Sequence, residues 1–295
     1  MDSGLFALFL PITLGIMMMG LGLELTVRDF LRIGHYPKVI FIALFSQLVI
    51  LVFIAYLICI VLQLDPLLSV GLMLLAASPG GPTANLFSYL FKGDIALNIT
   101  LTALNSLLCI VTLPFIVNLA FLHFVNDPSA PVSLPLNRIV QVFSITLIPV
   151  MVGMLIRGSI PRLAFHLRRP MRILSILFLA YLFIYALSRE HQQLFSYLGE
   201  IGLAVALFCF ASLFIGYLMP HLFGVSDRQI RACTFEIGIH NTAISLTIAL
   251  SILNSTTIAL PSAIYSIMMY IFAMIFGYFL MRQKDKLTAV ANTQS

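Results

Sequence analysis

Charge is what this sequence has least of. Only 9% of its 295 residues are Asp, Glu, Lys or Arg and 61% are hydrophobic, whereas an average soluble domain is about a quarter charged. So little charge excludes a soluble globular protein and leaves a polytopic membrane protein. Cysteines are also few. Cys59, Cys109, Cys209 and Cys233 all fall within apolar stretches, with neither a Cys-x-x-Cys nor a paired extracellular spacing, which argues against a disulfide framework and for small apolar packing residues. The sequence contains no His-Glu-x-x-His zinc pattern and no Gly-x-Ser-x-Gly elbow, the two signatures that would point to an intramembrane hydrolase. Nor is there a basic block: the net charge of +5 is spread over short loops, which speaks against a nucleic-acid partner and makes the charge a topology signal. No basic region precedes the first apolar stretch and no small-residue cleavage pattern follows it, so it reads as a retained span.

What is present is hydrophobic length. A hydrocarbon core of about 30 Å takes about 20 apolar residues, and nine such spans can be drawn, at 4–24, 38–62, 68–91, 95–122, 138–158, 171–188, 198–219, 229–253 and 260–281. The loops on one side, with the tail, hold fourteen Lys and Arg, among them Arg28, Arg32, Lys92, Arg157, Arg162 and Arg228; the other side holds Arg138 and Arg189. Cytoplasmic loops carry the basic excess, so the N-terminus is expected outside and the C-terminus in the cytoplasm. The polar segment 284–295 is expected to be an unstructured cytoplasmic tail, and Asn254-Ser255-Thr256 is a sequon on the outer side.

Two stretches do not read as ordinary spans. "SPGGPTAN", Ser78–Asn85, places Pro79 and Pro82 around two glycines in the middle of span 3. Proline lacks the amide donor and glycine raises the entropic cost of helix, so a regular helix should stop there. At membrane depth such backbone is tolerated only when buried in protein or lining an aqueous cavity. A simple kink between packed helices is the plainer alternative. "TFEIGIHNTA", Thr234–Ala243, puts Glu236 and His240 deep in span 8, four residues apart, with Gly238 between them and Asn241 and Thr242 able to bond released backbone groups. Among the eleven acids only Glu236 lies well inside a span, where it must be paired, protonated or facing water. Glu236 and His240 merely holding the bundle together is the plainer reading here.

Spans 3 and 8 are five crossings apart and so run in opposite directions. Residues 4–122 and 171–281 can then be two inverted repeats, with 138–158 as the connecting span and the two interruptions in equivalent positions. Paired interruptions of this kind point to a transporter's binding site, where half-helix N-termini face an anion while opened carbonyls and a carboxylate take a cation. Oxygen ligands are available: Asn98, Thr102 and Asn105 at helical spacing in span 4, and Gln47 in span 2.

"SPGGPTANLFSYLFKGDIALNITLTALNS", "TFEIGIHNTA" and "GIMMMGLGLEL" together resemble the bile acid:sodium symporter family, in a nine-span form, over nearly the whole chain. The resemblance implies an all-α polytopic membrane protein with inverted repeats, two crossed discontinuous helices, and core and panel domains. It implies sodium-coupled symport of an organic anion by alternating access, not an enzyme. Its cofactors would be one or two sodium ions and no organic group, and its setting the cell (inner) membrane, as a monomer in the lipid bilayer. Carried over by position, the first sodium site takes Asn85, Asn98, Thr102 and Glu236. Asn98 stands where the family has serine, and Ala84 also replaces a serine. The second takes Gln47, Glu236, Ile237, Ile239 and His240, where His240 replaces the family's glutamine and offers nitrogen in place of oxygen. The substrate is expected around Pro82, Thr83, Ala84, Asn241 and Thr242. A titratable His240 keeps a proton-coupled or mixed sodium/proton transporter as the alternative, and an intramembrane enzyme using Glu236 and His240 is the remote one.

Overall fold

The computed structural model describes residues 34, 36–125 and 136–293, with short pieces of helix between residues 15 and 23; at residue 82 and within parts of 136–147, 168–200 and 283–293 it describes the helical backbone without side chains. Most of span 1, the basic residues Arg28 and Arg32, the N-terminal segment, loop 126–135 and residues 294–295 lie outside the described residues.

The described chain is helical. α1 (Pro37–Phe45) runs through a π turn (Ser46–Ile50) into α2 (Leu51–Val61). α3 (Pro66–Ala77) and α4 (Pro82–Leu90) share the third span, and α5 (Ile95–Phe124) follows. After α6 (Leu136–Ser159) come α7 (Pro161–Leu222), α8 (Asp227–Gly238), α9 (Thr242–Thr247) with a π turn (Ile248–Ile252), and α10 (Thr256–Thr293). Among the described residues, four segments are long and apolar enough to cross a membrane: Pro37–Val61, Ile95–Phe124, Ile201–Leu222 and Thr256–Arg282.

Local chemistry sets the ends. Asp65 caps α3 by accepting the Leu67 and Leu68 amides at 2.9 and 3.4 Å, ahead of Pro66, whose missing amide costs nothing in a first turn. Asp94 caps α5 through the Leu97 amide at 3.1 Å, and its own amide donates to the Arg228 carbonyl at 2.8 Å, tying the start of α5 to the start of α8. Arg231, 4% exposed, donates at 3.2 Å to the Phe91 carbonyl at the end of α4. A cation at a helix C-terminus is well placed against the dipole.

The core is built around the interrupted spans. Ten of the twelve residues of α3, Leu68–Ala77, are buried, as are nine consecutive residues of α8, Ile230–Gly238. A helix hydrophobic or buried all round belongs inside a bundle. The surrounding helices bury one face and expose the other: Phe41, Val111, Phe115 and Ile275 are all more than 60% exposed, as expected of surfaces meeting lipid chains. All four cysteines are free and buried.

Two stretches differ from the sequence reading. A loop was expected between spans 6 and 7 around Arg189, but one helix runs Pro161–Leu222. Residues 189–197 are polar, yet they contain neither glycine nor proline, and Arg, Glu, Gln and Leu continue a helix at little cost. For the same reason α10 extends through Lys284 and Lys286 to Thr293, where an unstructured tail was expected.

Candidate functional site

Both interruptions are present, and they touch. α3 ends at Ala77 and α4 begins at Pro82; α8 ends at Gly238 and α9 begins at Thr242. The backbones meet at an isolated antiparallel bridge between Gly80 and His240, with the Asn241 amide donating to the Pro79 carbonyl at 2.7 Å. Each break is extended where a helix would otherwise run: Ser78 has φ −72° and ψ 142°, Gly81 φ −119° and ψ 174°, and Ile239 φ −120° and ψ 93°. The carbonyls released there find donors. The phenol of Tyr265 donates to the Gly238 carbonyl at 2.9 Å, and the Thr242 amide to the His240 carbonyl at 3.0 Å. Asn241 caps α9 through Oδ1, which faces the Ile244 amide at 3.4 Å.

Glu236 is fully buried beside this junction. Oε2 accepts the Thr102 hydroxyl at 2.6 Å and Oε1 the Asn105 amide at 3.2 Å. Gly80 makes room for the carboxylate: a Cβ at that position would run into the Glu236 side chain and its backbone carbonyl. Gly81 is different, since a Cβ there would meet only Asn241 atoms at 3.6–3.7 Å, ordinary packing distances. The close approach therefore belongs to the first glycine of the pair.

Neither donor reaching Glu236 carries charge. Asn98 lies next to this network; its Nδ2 donates to the Ala232 carbonyl at 2.7 Å and its carbonyl lies 3.0 Å from the Thr102 hydroxyl. The Oδ1 atoms of Asn98, Asn105 and Asn85 are all buried without a hydrogen-bond partner among the described residues. Buried polar atoms are nearly always satisfied, so the amide oxygens of Asn98 and Asn105, without donors beside a buried carboxylate, are hard, oxygen-only ligands of the kind that suits an alkali or alkaline-earth cation. Among the described residues no cluster of three or more His, Cys, Asp or Glu forms a transition-metal site.

The neighbouring corner is organised around His240, 2% exposed. Nδ1 lies 3.1 Å from the Ser78 carbonyl, which can only accept, and 3.4 Å from Gln47 Nε2; the shorter, carbonyl contact is a hydrogen bond in the tautomer with the hydrogen on Nδ1. Gln47 Nε2 donates to the same carbonyl at 3.1 Å. The imidazole is packed between Phe208 and Tyr265, with ring centroids 5.3 and 5.4 Å away, and Nε2 is 3.5 Å from Ser212 Oγ. The π turn at Ser46–Ile50 holds Gln47, 1% exposed, facing inward.

Of the residues selected from sequence, Thr102 and Glu236 are directly bonded, Asn98 adjoins them, and Gln47 and His240 meet at Ser78. Ile237 and Ile239 are fully buried. Thr83 and Asn241 are half-buried, Thr242 is 4% exposed, and Ala84 is buried with its amide on the Gly81 carbonyl. Pro82 opens α4. Asn105 lay outside the ligand set carried over from the family, although its helical spacing from Asn98 and Thr102 marked it. Ser78 opens the interrupted stretch, though nothing there marks its carbonyl; Ser212, Phe208 and Tyr265 had no sequence signal beyond lying in apolar spans.

Comparison with known proteins places these features in a wider group. The Sodium Bile acid symporter family profile matches residues 11–197, more than half of the chain. Among similar proteins, the probable sodium/metabolite cotransporter BASS2, chloroplastic, of Oryza sativa is 25% identical over 251 residues, 85% of this chain and 58% of its own. The uncharacterized sodium-dependent transporter YocS of Bacillus subtilis is 24% identical, covering 88% of this chain and 78% of its own. Sodium/bile acid cotransporter 4 of Mus musculus is 28% identical over 234 residues, 79% of this chain and 53% of its own. The chain thus spans little more than half the length of the rice and mouse relatives.

Proposed function

The chain belongs to the sodium bile acid symporter family, and from that premise we propose that it is a secondary active transporter that couples sodium entry to uptake of an organic anion by alternating access. The single observation that carries this reading is the buried Glu236 carboxylate at the meeting of two broken helices, held by uncharged donors and bordered by amide oxygens that lack donors of their own. An ionised carboxylate in a low-dielectric interior needs a compensating positive charge. A sodium ion at this place would be held by Glu236 with the Oδ1 atoms of Asn98 and Asn105, the Thr102 oxygen and, from α4, Asn85.

The anion sits, in this proposal, on the opened side of the junction, near Pro82, Thr83, Ala84, Asn241 and Thr242. α4 starts there with its amide ends, the positive pole of its dipole. Ala84, buried with its amide engaged, contributes the shape of that turn. Sodium next to the break would draw α4 and α8 into one fixed geometry, and the anion would find its site complete only then. The proposal extends to a core carrying the breaks that moves against a panel, a monomer, and insertion in the cell (inner) membrane with the N-terminus outside.

Uptake of candidate anions, including bile-acid conjugates and short keto or hydroxy acids, into vesicles holding the purified protein tests it. An inward sodium gradient should drive accumulation where choline or potassium does not. Accumulation that is indifferent to the cation would reject sodium coupling, and turnover of a lipid or peptide lost in Glu236→Ala would favour an enzyme instead.

A further inference from the structure

The two corners of the junction are equipped differently. Around Glu236 the side-chain oxygens outnumber their donors, with Asn98 and Asn105 both holding an unpaired Oδ1. Around His240 the balance is reversed. The Ser78 carbonyl takes two N–H groups, from His240 Nδ1 and Gln47 Nε2, each at 3.1 Å. The Pro79 carbonyl takes the Asn241 amide at 2.7 Å, the Gly238 carbonyl the Tyr265 phenol at 2.9 Å, and the His240 carbonyl the Thr242 amide at 3.0 Å. Each Glu236 oxygen already accepts a hydrogen bond, Oε2 from Thr102 and Oε1 from Asn105, and among the described residues neither is bonded to Gln47 or His240.

A second sodium between Gln47 and His240 would need oxygens, and preferably one of negative charge. Gln47 Oε1 is unpaired, but the groups aimed at the Ser78 carbonyl are hydrogens, whose positive ends repel a cation. The imidazole also fills the volume between Phe208 and Tyr265. That leaves Gln47 Oε1 and the Ile237 and Ile239 carbonyls, all neutral, with the ring of His240 standing where the family has an amide oxygen, and such a set fits a cation poorly.

We propose that this corner is closed by the protein itself, with His240 as a positioning residue whose ring N–H does the work a second cation would do on the opened Ser78 carbonyl, and that the transporter binds a single sodium ion, at Glu236. The inference rests on the sodium-coupled reading above and specifies its stoichiometry. Its consequence is energetic: with one sodium and a singly charged anion the translocated load is neutral, so accumulation follows the first power of the sodium gradient and is insensitive to membrane potential.

The experiment uses the purified full chain and sodium alone. Radiolabelled sodium is titrated at constant ionic strength with choline as the replacement, and bound ions per chain and the order of binding are read. The wild type should hold one ion with no cooperativity, and His240→Gln, which exchanges the ring for an amide oxygen, should raise the count to two. Should the His240→Gln chain not fold, Asn105→Leu separates the cases: with one site it weakens all the bound sodium by about tenfold, with two it leaves a high-affinity ion behind. Two ions in the wild type, or a His240→Gln chain that folds and still holds one, would overturn the single-ion assignment to His240 and leave sodium coupling standing. No bound sodium at all would reject coupling itself, and this inference with it.

Discussion

The two breaks do opposite jobs. The first, Ser78–Gly81, supplies almost nothing but backbone, because Pro79, Gly80 and Gly81 carry no polar side chain and the Ser78 hydroxyl is spent on the Leu75 carbonyl; the second, Ile239–Asn241, is flanked by Glu236 and filled by His240 and Asn241. Gly80 shows why the pairing matters. It is the absence of a side chain in one break that lets the carboxylate of α8 reach the junction. One break is emptied so that the other can be furnished, and a change to either should be felt as a change to the ion.

The largest effect is expected at the furnished break. Glu236→Gln keeps the shape and removes the charge, leaving amide oxygens around a neutral group. Loss of one partner of a buried ionic contact costs about 3 kcal/mol or more, so sodium affinity should fall by at least about a hundredfold. A thermal-shift titration reads this directly, because a ligand of the native state stabilises by mass action. A Glu236→Gln chain stabilised by sodium like the wild type would mean that the carboxylate does not hold the ion.

Next comes the emptied break. In Gly80→Ala the new methyl lands on the Glu236 carboxylate and backbone. Overpacking of this kind costs about 1–3 kcal/mol. Here the strain falls on the ligand, so the melting temperature and the sodium response should drop together. A stable Gly80→Ala protein with unaltered sodium binding would separate the two breaks and dissolve the comparison. Smaller is Thr102→Val, which keeps the volume and removes the hydroxyl hydrogen held by Glu236 Oε2 at 2.6 Å. A hydrogen bond to a charged group is worth about 1.5–3 kcal/mol, so half-saturation by sodium should rise about tenfold or more. An unchanged half-saturation point would leave Thr102 as a helix-backbone bond to Asn98 only.

The contrast also explains what could be read in advance. The emptied break was legible because proline and glycine act locally: no neighbour is needed to see that Pro79-Gly80-Gly81-Pro82 cannot continue a helix. Glu236 was legible because an acid inside an apolar stretch has few acceptable explanations. The arrangement around His240 was not. Its partners are Ser78, Ser212, Phe208 and Tyr265, brought in by tertiary packing, and no periodicity marks a serine or phenylalanine as facing an imidazole. Which glycine serves the carboxylate was equally hidden, since two adjacent identical residues differ only in what stands opposite them. The helix through residues 189–197 is hidden for another reason: polarity suggests a loop where helix propensity has not ended.

Gly81→Ala should have the smallest effect and tests the comparison most sharply, because it repeats the Gly80 substitution one residue on. Gly81 has φ −119°, open to any L-residue, and an added Cβ would find only Asn241 atoms at 3.6–3.7 Å. Two modest terms oppose each other. Alanine is a poorer N-cap than glycine for α4, by about 0.5–1 kcal/mol, while removing a glycine from the unfolded chain stabilises by about 0.4–1 kcal/mol. The net change should lie within about 0.5 kcal/mol, with sodium binding at the wild-type level. Equal damage from Gly81→Ala and Gly80→Ala would mean that the pair serves backbone freedom in general, and that the room beside Glu236 is incidental to it.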